Sequence, residues 1–427
     1  MSRANIEAHM KAPGYQSIAQ TIRDRILSGR YIPGERIPSI REFADHFNCN
    51  KLTVHRAFET LRQEGLIEIR VGSGTYVRFP EKVAVNQGIY DFHTDYLDES
   101  HFPYQQIQAI INQLFVDVGA HALAPTPAEG DPELVRVLSR FYGVSPRQMV
   151  IISGAQQGLD LVAKVFAANI SDTMLFEDPT YPGAISLFKA RHFVPLGEDG
   201  PDLDALEETL DRTDIRLFYA MPAVHNPTGM AYGLAKKNAI ADLALRHGFY
   251  IVEDDFLSEF RQQSSPRFVD ICPRQTIHIK SLSQTTVSGI RLGFMIVPPA
   301  LFDKFLYAKF SSDIASSGLM QRSMGEFFRQ GRYQQHLEQV KKILSYRRSR
   351  LCDLINGIGH LRYSPHQAGF SLWIRSEKGP PSSPVPWRRG EDFSFKPEAR
   401  DCFRLSFMHM SDAVFENGVT YLAPLLA

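Results

Sequence analysis

The chain has 427 residues, 44% hydrophobic and 22% charged, with Lys+Arg and Asp+Glu both at 47. That length supports two or three domains with a large core, and the composition is that of a soluble globular protein. No run of about 18 apolar residues offers a membrane span. The N-terminal MSRANIEAHMKAPGYQS has no apolar stretch of a secretion signal. Cys49, Cys272, Cys352 and Cys402 are scattered without metal-ligand spacing, so the expectation is a reduced, cytoplasmic protein with no metal site. Charge is uneven: residues 1–80 hold 12 Lys+Arg against 8 Asp+Glu, and the remainder carries the opposite excess. A basic head on an acidic body suits a polyanionic partner, although an imbalance this small decides nothing alone.

Residues 11–80 predict three helices and a hairpin. In SIAQTIRDRILSG, Ile18, Ile22 and Ile26 recur at helical spacing before Gly29. YIPGERIP is a turn-rich connector. SIREFADHF sets Ile40, Phe43, Ala44 and Phe47 on one face, with Ser39 as N-cap. KLTVHRAFETLRQEG carries Val54, Ala57, Phe58 and Leu61 and stops at Gly65. LIEIRVGSGTYVRF alternates as two short strands around Gly72-Ser73-Gly74. This order is that of a winged helix-turn-helix, whose third helix enters the major groove of DNA. Asn50, Lys51, Thr53 and His55 would then face bases, and Arg41 and the wing would meet phosphates or the minor groove. Amphipathic spacing alone is equally consistent with an ordinary solvated helix face.

PGERIPSIREFA, TVHRAFETLRQEGLIE and GSGTYV occur in the order and spacing of the N-terminal domain of GntR-type bacterial regulators, which residues 15–79 resemble. The resemblance implies a double-stranded DNA operator as partner, with Arg41, Lys51, Thr53 and Gly72 at contact positions. Members often carry Ser-Arg where this chain has Asn50-Lys51. Lysine does not read guanine bidentately, so a different operator preference is expected.

Residues 81–90 read as a linker. From residue 91 the chain alternates short apolar runs with helical segments: MVIIS, TMLFED, RLFYAMP, FYIVEDD and TIHIKSL are the candidate strands. That pattern predicts a mainly parallel α/β sheet covered by helices, with ligands bound at the carboxyl ends of the strands. The distinctive residues fall at those ends. Gly154, Ala155 and Gln156 open a helix, where free N–H groups suit a phosphate. Ser281 and Arg291 add a hydroxyl and a guanidinium. Asp254 ends a buried strand and can hold a protonated pyridine nitrogen. Tyr181 can stack on an aromatic ring, Asn226 can donate to a ring oxygen, and Arg404 in CFRLSF can clamp a carboxylate. Taken singly, each has an ordinary structural role; their convergence carries the reading.

Jointly, AEGDPELVRVLSRFYG, SGAQQGLDL, EDPTYPG, HNPTG, EDD and SxS…GxRxG resemble fold-type I aminotransferases that use pyridoxal 5'-phosphate (PLP), from about residue 91 to the end. Behind a GntR-type head, the whole resembles a MocR-type transcriptional regulator. The resemblance implies a homodimer, PLP as cofactor, and a small-molecule effector, an amino acid among the candidates. It places Ser283 with Gly154, Ala155, Gln156, Ser281 and Arg291 in the phosphate cup, and a small α+β subdomain at about 330–427 behind the long helix of GRYQQHLEQVKKILSYRRSRLCDLI.

The pattern breaks where it matters most. Seven residues before Arg291, where the family carries its PLP-binding lysine, stands Gln284. An amide forms no Schiff base. Phe256 stands where relatives have a tyrosine after the Asp pair, and Pro125 aligns with another family tyrosine. Three coincident departures read as divergence. The expectation is a regulator that binds PLP, pyridoxamine 5'-phosphate (PMP) or an amino-acid adduct without a covalent bond and without efficient transamination. Two other readings stay open on sequence alone: a working aminotransferase that uses Lys280, and a pocket that no longer takes B6 vitamers.

Overall fold

The computed structural model describes residues 14–27, 31, 35–64, 66–70, 73–78, 90–166, 173–188, 191–261, 265–366, 369–380 and 387–427. The chain divides into two compact units, one up to Asn86 and one from Gln87.

The first unit contains α1 (Tyr15–Leu27), β1 (Arg36–Ile37), α2 (Ile40–His46), α3 (Lys51–Gln63), β2 (Ile67–Arg70) and β3 (Gly74–Val77). Ile18, Ile22, Phe43, Val54, Phe58 and Leu61 close into one core. Its helix starts are chemically specified. The Ser39 hydroxyl accepts from Glu42 N–H at 3.3 Å, and Glu42 accepts from Ser39 N–H at 2.7 Å, a reciprocal box. Asn50 caps α3 by accepting from Leu52 N–H at 2.9 Å. The connector expected over YIPGERIP is a correction: it supplies β1, which pairs antiparallel with β3 in a sheet ordered β1-β3-β2. Two residues are too short to show a period, yet they bury Ile37. Gly74 has φ +126, a backbone conformation that favours glycine, and a Cβ there would lie 2.6 Å from the Arg36 side chain at Nε.

The second unit is built on seven strands: β4 (Met149–Ile152), β5 (Thr173–Asp178), β6 (Arg191–Pro195), β7 (Ile215–Ala220), β8 (Tyr250–Asp255), β9 (Thr276–Ser281) and β10 (Gly293–Ile296). Their order is β4-β10-β9-β8-β7-β5-β6, and β10 alone runs antiparallel to its neighbours. β4, β9 and β10 are buried along their whole length, as strands are when helices cover both faces. β11 (Leu361–Tyr363), β12 (Ser371–Ser376), β13 (Arg388–Arg389) and β14 (Cys402–Ser406) form a separate antiparallel sheet ordered β11-β12-β14-β13. The 25-residue helix Arg332–Asn356 and the helix Asp412–Leu426 pack on it around Leu351, Phe403, Leu405 and Phe415. This is the fold-type I architecture with its smaller α+β subdomain. Among the described residues, no helix is long and apolar enough to cross a membrane, and no group of three His, Cys, Asp or Glu is placed to hold a metal ion.

Candidate DNA-contact face and ligand pocket

α3 buries Val54, Ala57, Phe58 and Leu61, which turns its other face outward. Lys51 and His55 on α3, Asn50 at its cap and Arg41 on α2 are exposed, and Thr53 is half-buried. Asn50 caps the helix with its side-chain oxygen, and the cap leaves its amide N–H groups unused. Gly72 lies outside the described residues.

The pocket of the second unit, about 210 Å³, opens where β5, β7, β8 and β9 end. Residues from the predicted set that line it are Ala155, Gln156, Tyr181, Asn226, Asp254, Ser281, Gln284 and Arg291. At one end is the start of the helix Ala155–Phe166, whose first N–H groups have no acceptor inside the helix. Gly154 bends the chain into that helix with φ +87, and a Cβ there would sit 2.6 Å from Arg291 Nη2. Arg291 itself adopts φ 49, a left-handed conformation that costs a non-glycine residue strain. Its Nη2 donates to the Ser153 carbonyl at 3.3 Å, holding the guanidinium over the helix start. The Tyr181 hydroxyl donates to Gln156 Oε1 at 3.3 Å, and Gln156 donates to the Gly183 carbonyl at 3.1 Å. Burial and then the charge of Asp254 push the Tyr181 pKa up, so it stays a neutral hydroxyl.

Asp254 lines the same pocket. Along β8 side chains alternate. Glu253 turns away to accept from Phe268 and Val269 N–H, Asp255 turns away to accept from Ser258 N–H, and Asp254 faces the pocket. Asp254 Oδ2 accepts from the Tyr219 hydroxyl at 2.7 Å, while Oδ1 is buried with no hydrogen-bond partner. Burial raises its pKa to about 6 against the opposing pull of the Tyr219 bond. A buried carboxylate oxygen left unpaired costs about 1–3 kcal/mol or more, and a cationic N–H at Oδ1 would remove that cost.

The same alternation decides the role of Lys280. Ser281 lines the pocket, and Lys280 points to the other face, where it is wholly buried. Its Nζ donates to Asp255 at 3.1 Å, to Ser258 at 3.4 Å and to Glu259 at 2.5 Å. Burial depresses its pKa, but the two carboxylates outweigh this and the net shift is upward. A protonated, triply engaged amine is no nucleophile. Gln284 is the side chain that reaches the pocket, with Oε1 buried and unpartnered.

Two residues of the predicted set stand elsewhere. Ser283 is turned from the pocket, its hydroxyl donating to the Leu292 carbonyl at 3.4 Å. Arg404 is not open to a ligand's carboxylate: it is wholly buried and ion-paired with Asp95. Asn226, held on the turn where Gly229 N–H donates to the His225 carbonyl at 2.7 Å, accepts from Arg404 Nη1 at 2.7 Å. Asp95, Met221, Phe256, Phe370 and Arg388 also line the pocket. Phe256 was noted only as a lost tyrosine, and the other four were missed. Asp95 lies in a loop without periodicity, and asking what partners a buried Arg404 would have found it. Pro125 is exposed and outside the pocket.

These residues fit a phosphorylated pyridine. Free N–H groups at a helix start, a guanidinium and an unpaired buried carboxylate oxygen line one cavity.

The sequence profile of the family Aminotransferase class I and II matches residues 89–420, and that of the bacterial regulatory proteins of the gntR family matches residues 14–77. The HTH-type transcriptional regulator YcxD of Bacillus subtilis is 28% identical over 83% of this chain and 84% of its own. The probable rhizopine catabolism regulatory protein MocR of Rhizobium meliloti is 24% identical over 92% of this chain and 87% of its own. The crystal structure of LysN, an α-aminoadipate aminotransferase from Thermus thermophilus complexed with N-(5'-phosphopyridoxyl)-L-leucine, superposes with a TM-score of 0.73 at 27% identity, covering 80% of this chain and 93% of LysN. The chain belongs to the class I and II aminotransferase family, joined to an N-terminal helix-turn-helix unit of the gntR family as in MocR-type transcriptional regulators.

Proposed function

We propose that this chain is a cytoplasmic transcriptional regulator whose aminotransferase-like unit binds a B6 phosphate, PLP or PMP, reversibly and reports it to DNA without efficient transamination. Residues 11–80 bind the operator through Arg41, Asn50, Lys51, Thr53, His55 and Gly72; 81–90 link; and 91–427, with a small subdomain from about 330, bind the effector and form the homodimer. The observation that carries this reading is the pair Gln284 and Lys280. The residue that reaches the pocket is an amide, and the nearest lysine is locked between Asp255 and Glu259 on the other face.

When bound, a PLP-type cofactor supplies an electron sink for amino-acid chemistry. Proton transfer at the substrate carbon then needs a general base within reach, a role that the amide of Gln284 does not fill. What the chain's residues retain is binding. Ala155, Gln156, Ser281 and Arg291 hold the phosphate, Asp254 holds the ring nitrogen, and Tyr181 covers the ring. A ligand shifts the DNA-bound state only by preferring one arrangement of the protein.

The test is a titration of the full-length protein with PLP and PMP, followed by absorbance and fluorescence, alongside binding to the DNA upstream of its own gene. Saturable micromolar binding is expected, lost on Asp254→Ala or Arg291→Ala, with no borohydride-fixed mass gain and salt-sensitive DNA binding that responds to the vitamer. Conversion of an amino acid to its keto acid, or PLP fixed by borohydride, would sink this reading.

A further inference from the structure

The guanidinium of Arg404 already has a carboxylate. Asp95 pairs with Nη2, the His93 carbonyl accepts from the same nitrogen at 3.2 Å, and Asn226 accepts from Nη1 at 2.7 Å. The guanidinium carbon lies 4.8 Å from the centroid of the Phe393 ring and 5.9 Å from that of Phe370. Arg404 is therefore desolvated and charge-paired with no ligand at all, its Nε alone having no hydrogen-bond acceptor.

Asp95 is not a loose occupant. Two residues of its loop are fixed by Asp91, whose Oδ1 accepts from His93 N–H at 2.8 Å and from Thr94 N–H at 2.9 Å. The Thr94 hydroxyl donates to Asp91 Oδ2 at 2.6 Å. The loop is also tied to β14, the strand that carries Arg404. Ser406 N–H donates to the Phe92 carbonyl at 2.8 Å, and the Ser406 hydroxyl to the Thr94 carbonyl at 2.6 Å. Asp95 nevertheless lines the same pocket as Asp254 and Gln284, with its side chain 21% exposed.

A second carboxylate arriving at Arg404 would meet Asp95 first. It would have to share one guanidinium with a like charge or displace Asp95 from a loop whose preceding residues, Phe92, His93 and Thr94, are held by five hydrogen bonds. Both are expensive in a partly desolvated site, where like charges repel more strongly than in water. A cationic arm arriving at the same place meets an anion instead.

We infer that Asp95 is an internal occupant of the carboxylate position, so that this pocket selects a phosphorylated pyridine with an uncharged or amine-bearing arm and rejects conjugates that carry an α-carboxylate. The inference rests on the B6 reading above, narrows it to PMP-like ligands, and removes amino-acid adducts from the candidate effectors.

The test uses full-length protein and two probes that differ only by the carboxylate: N-(5'-phosphopyridoxyl)-L-alanine and N-ethylpyridoxamine 5'-phosphate, with PMP as reference. In the wild type the carboxylate is expected to weaken binding tenfold or more. Asp95→Asn should shrink that penalty, read as the ratio of alanine-probe to ethyl-probe affinity, at least tenfold. Equal or tighter binding of the alanine conjugate by the wild type overturns the inference and leaves the B6 reading standing; so does a penalty unchanged in Asp95→Asn. Should Asp95→Asn fail to fold, the wild-type ratio decides alone. If none of the three probes binds, the B6 reading fails and the inference with it.

Discussion

Replacing Lys280 with methionine separates a structural lysine from a catalytic one. The change keeps the length of the side chain and removes the charge that Asp255 and Glu259 share. Lys280 is fully buried, and the side chains of Asp255 and Glu259 are 2% and 9% exposed, so two carboxylates are left without their cation. Breaking a buried pair in this way costs about 3–5 kcal/mol. With a urea slope of roughly 3 kcal/mol/M, the midpoint falls by about 1 to 2 M. Both tryptophans, Trp373 and Trp387, belong to the large unit, so intrinsic fluorescence reports its unfolding without a signal from the head. The pH profile adds a second check. Burial alone would raise the Asp255 pKa, but Lys280 and then His278 hold it down at about 2. A depressed carboxyl contributes stability above its ordinary pKa and loses it as pH falls through the folded value. The gap between wild type and Lys280→Met is therefore full at pH 7 and narrows below about pH 4. PMP affinity should move less than threefold, because the amine faces away from the pocket. An unchanged midpoint, or loss of PMP binding in a folded variant, would refute the placement of Lys280.

Gln284→Lys restores an amine to the side chain that reaches the pocket; mass spectrometry after PLP and borohydride should show one fixed cofactor in the variant and none in the wild type. Asp254→Asn is expected to stabilise the ligand-free protein. The raised carboxyl gives its full stability below its ordinary pKa and loses it as pH rises through about 6, a cost of about 3 kcal/mol at pH 8. The variant's urea midpoint should thus exceed the wild type's at pH 8 and match it near pH 4, while its PMP affinity drops. Lys51→Ala should weaken operator binding and, if Lys51 meets a phosphate, lower the slope of log affinity against log salt by about 1; an unchanged affinity and slope would remove Lys51 from the interface.

Elements with a clear period were legible in the sequence. α2 and α3 show their apolar stripes, and α2 its cap Ser39, whereas Asn50 reads there only as a base contact and not as the cap of α3; β4, β5, β7, β8 and β9 appear as apolar runs ending in polar clusters. β1 escaped because two residues carry no period, and β6 because its side chains are mostly half-buried. Period two also explains what was misjudged at the pocket. It places Asp254 and Ser281 inward and Lys280 outward along strands, but it ends with the strand. Ser283 lies in the irregular turn after β9, where its hydroxyl takes the Leu292 carbonyl. Arg404 is correctly on a strand, yet its partner Asp95 is 309 residues away in the chain. No local pattern announces an ion pair of that separation.

The Arg404–Asp95 pair bears on how the protein spends its time empty. An enzyme that leaves a buried guanidinium waiting for substrate carries an unbalanced charge whenever it is vacant, and its ligand-free form is correspondingly penalised. Here the vacancy is filled from within; Asp254 Oδ1, Gln284 Oε1 and Arg388 Nε in the pocket lining, and Nε of Arg404 itself, remain buried without a hydrogen-bond partner. The ligand-free form is thereby spared the unbalanced charge of an open guanidinium. A reporter needs two states, separated by no more free energy than its ligand can supply.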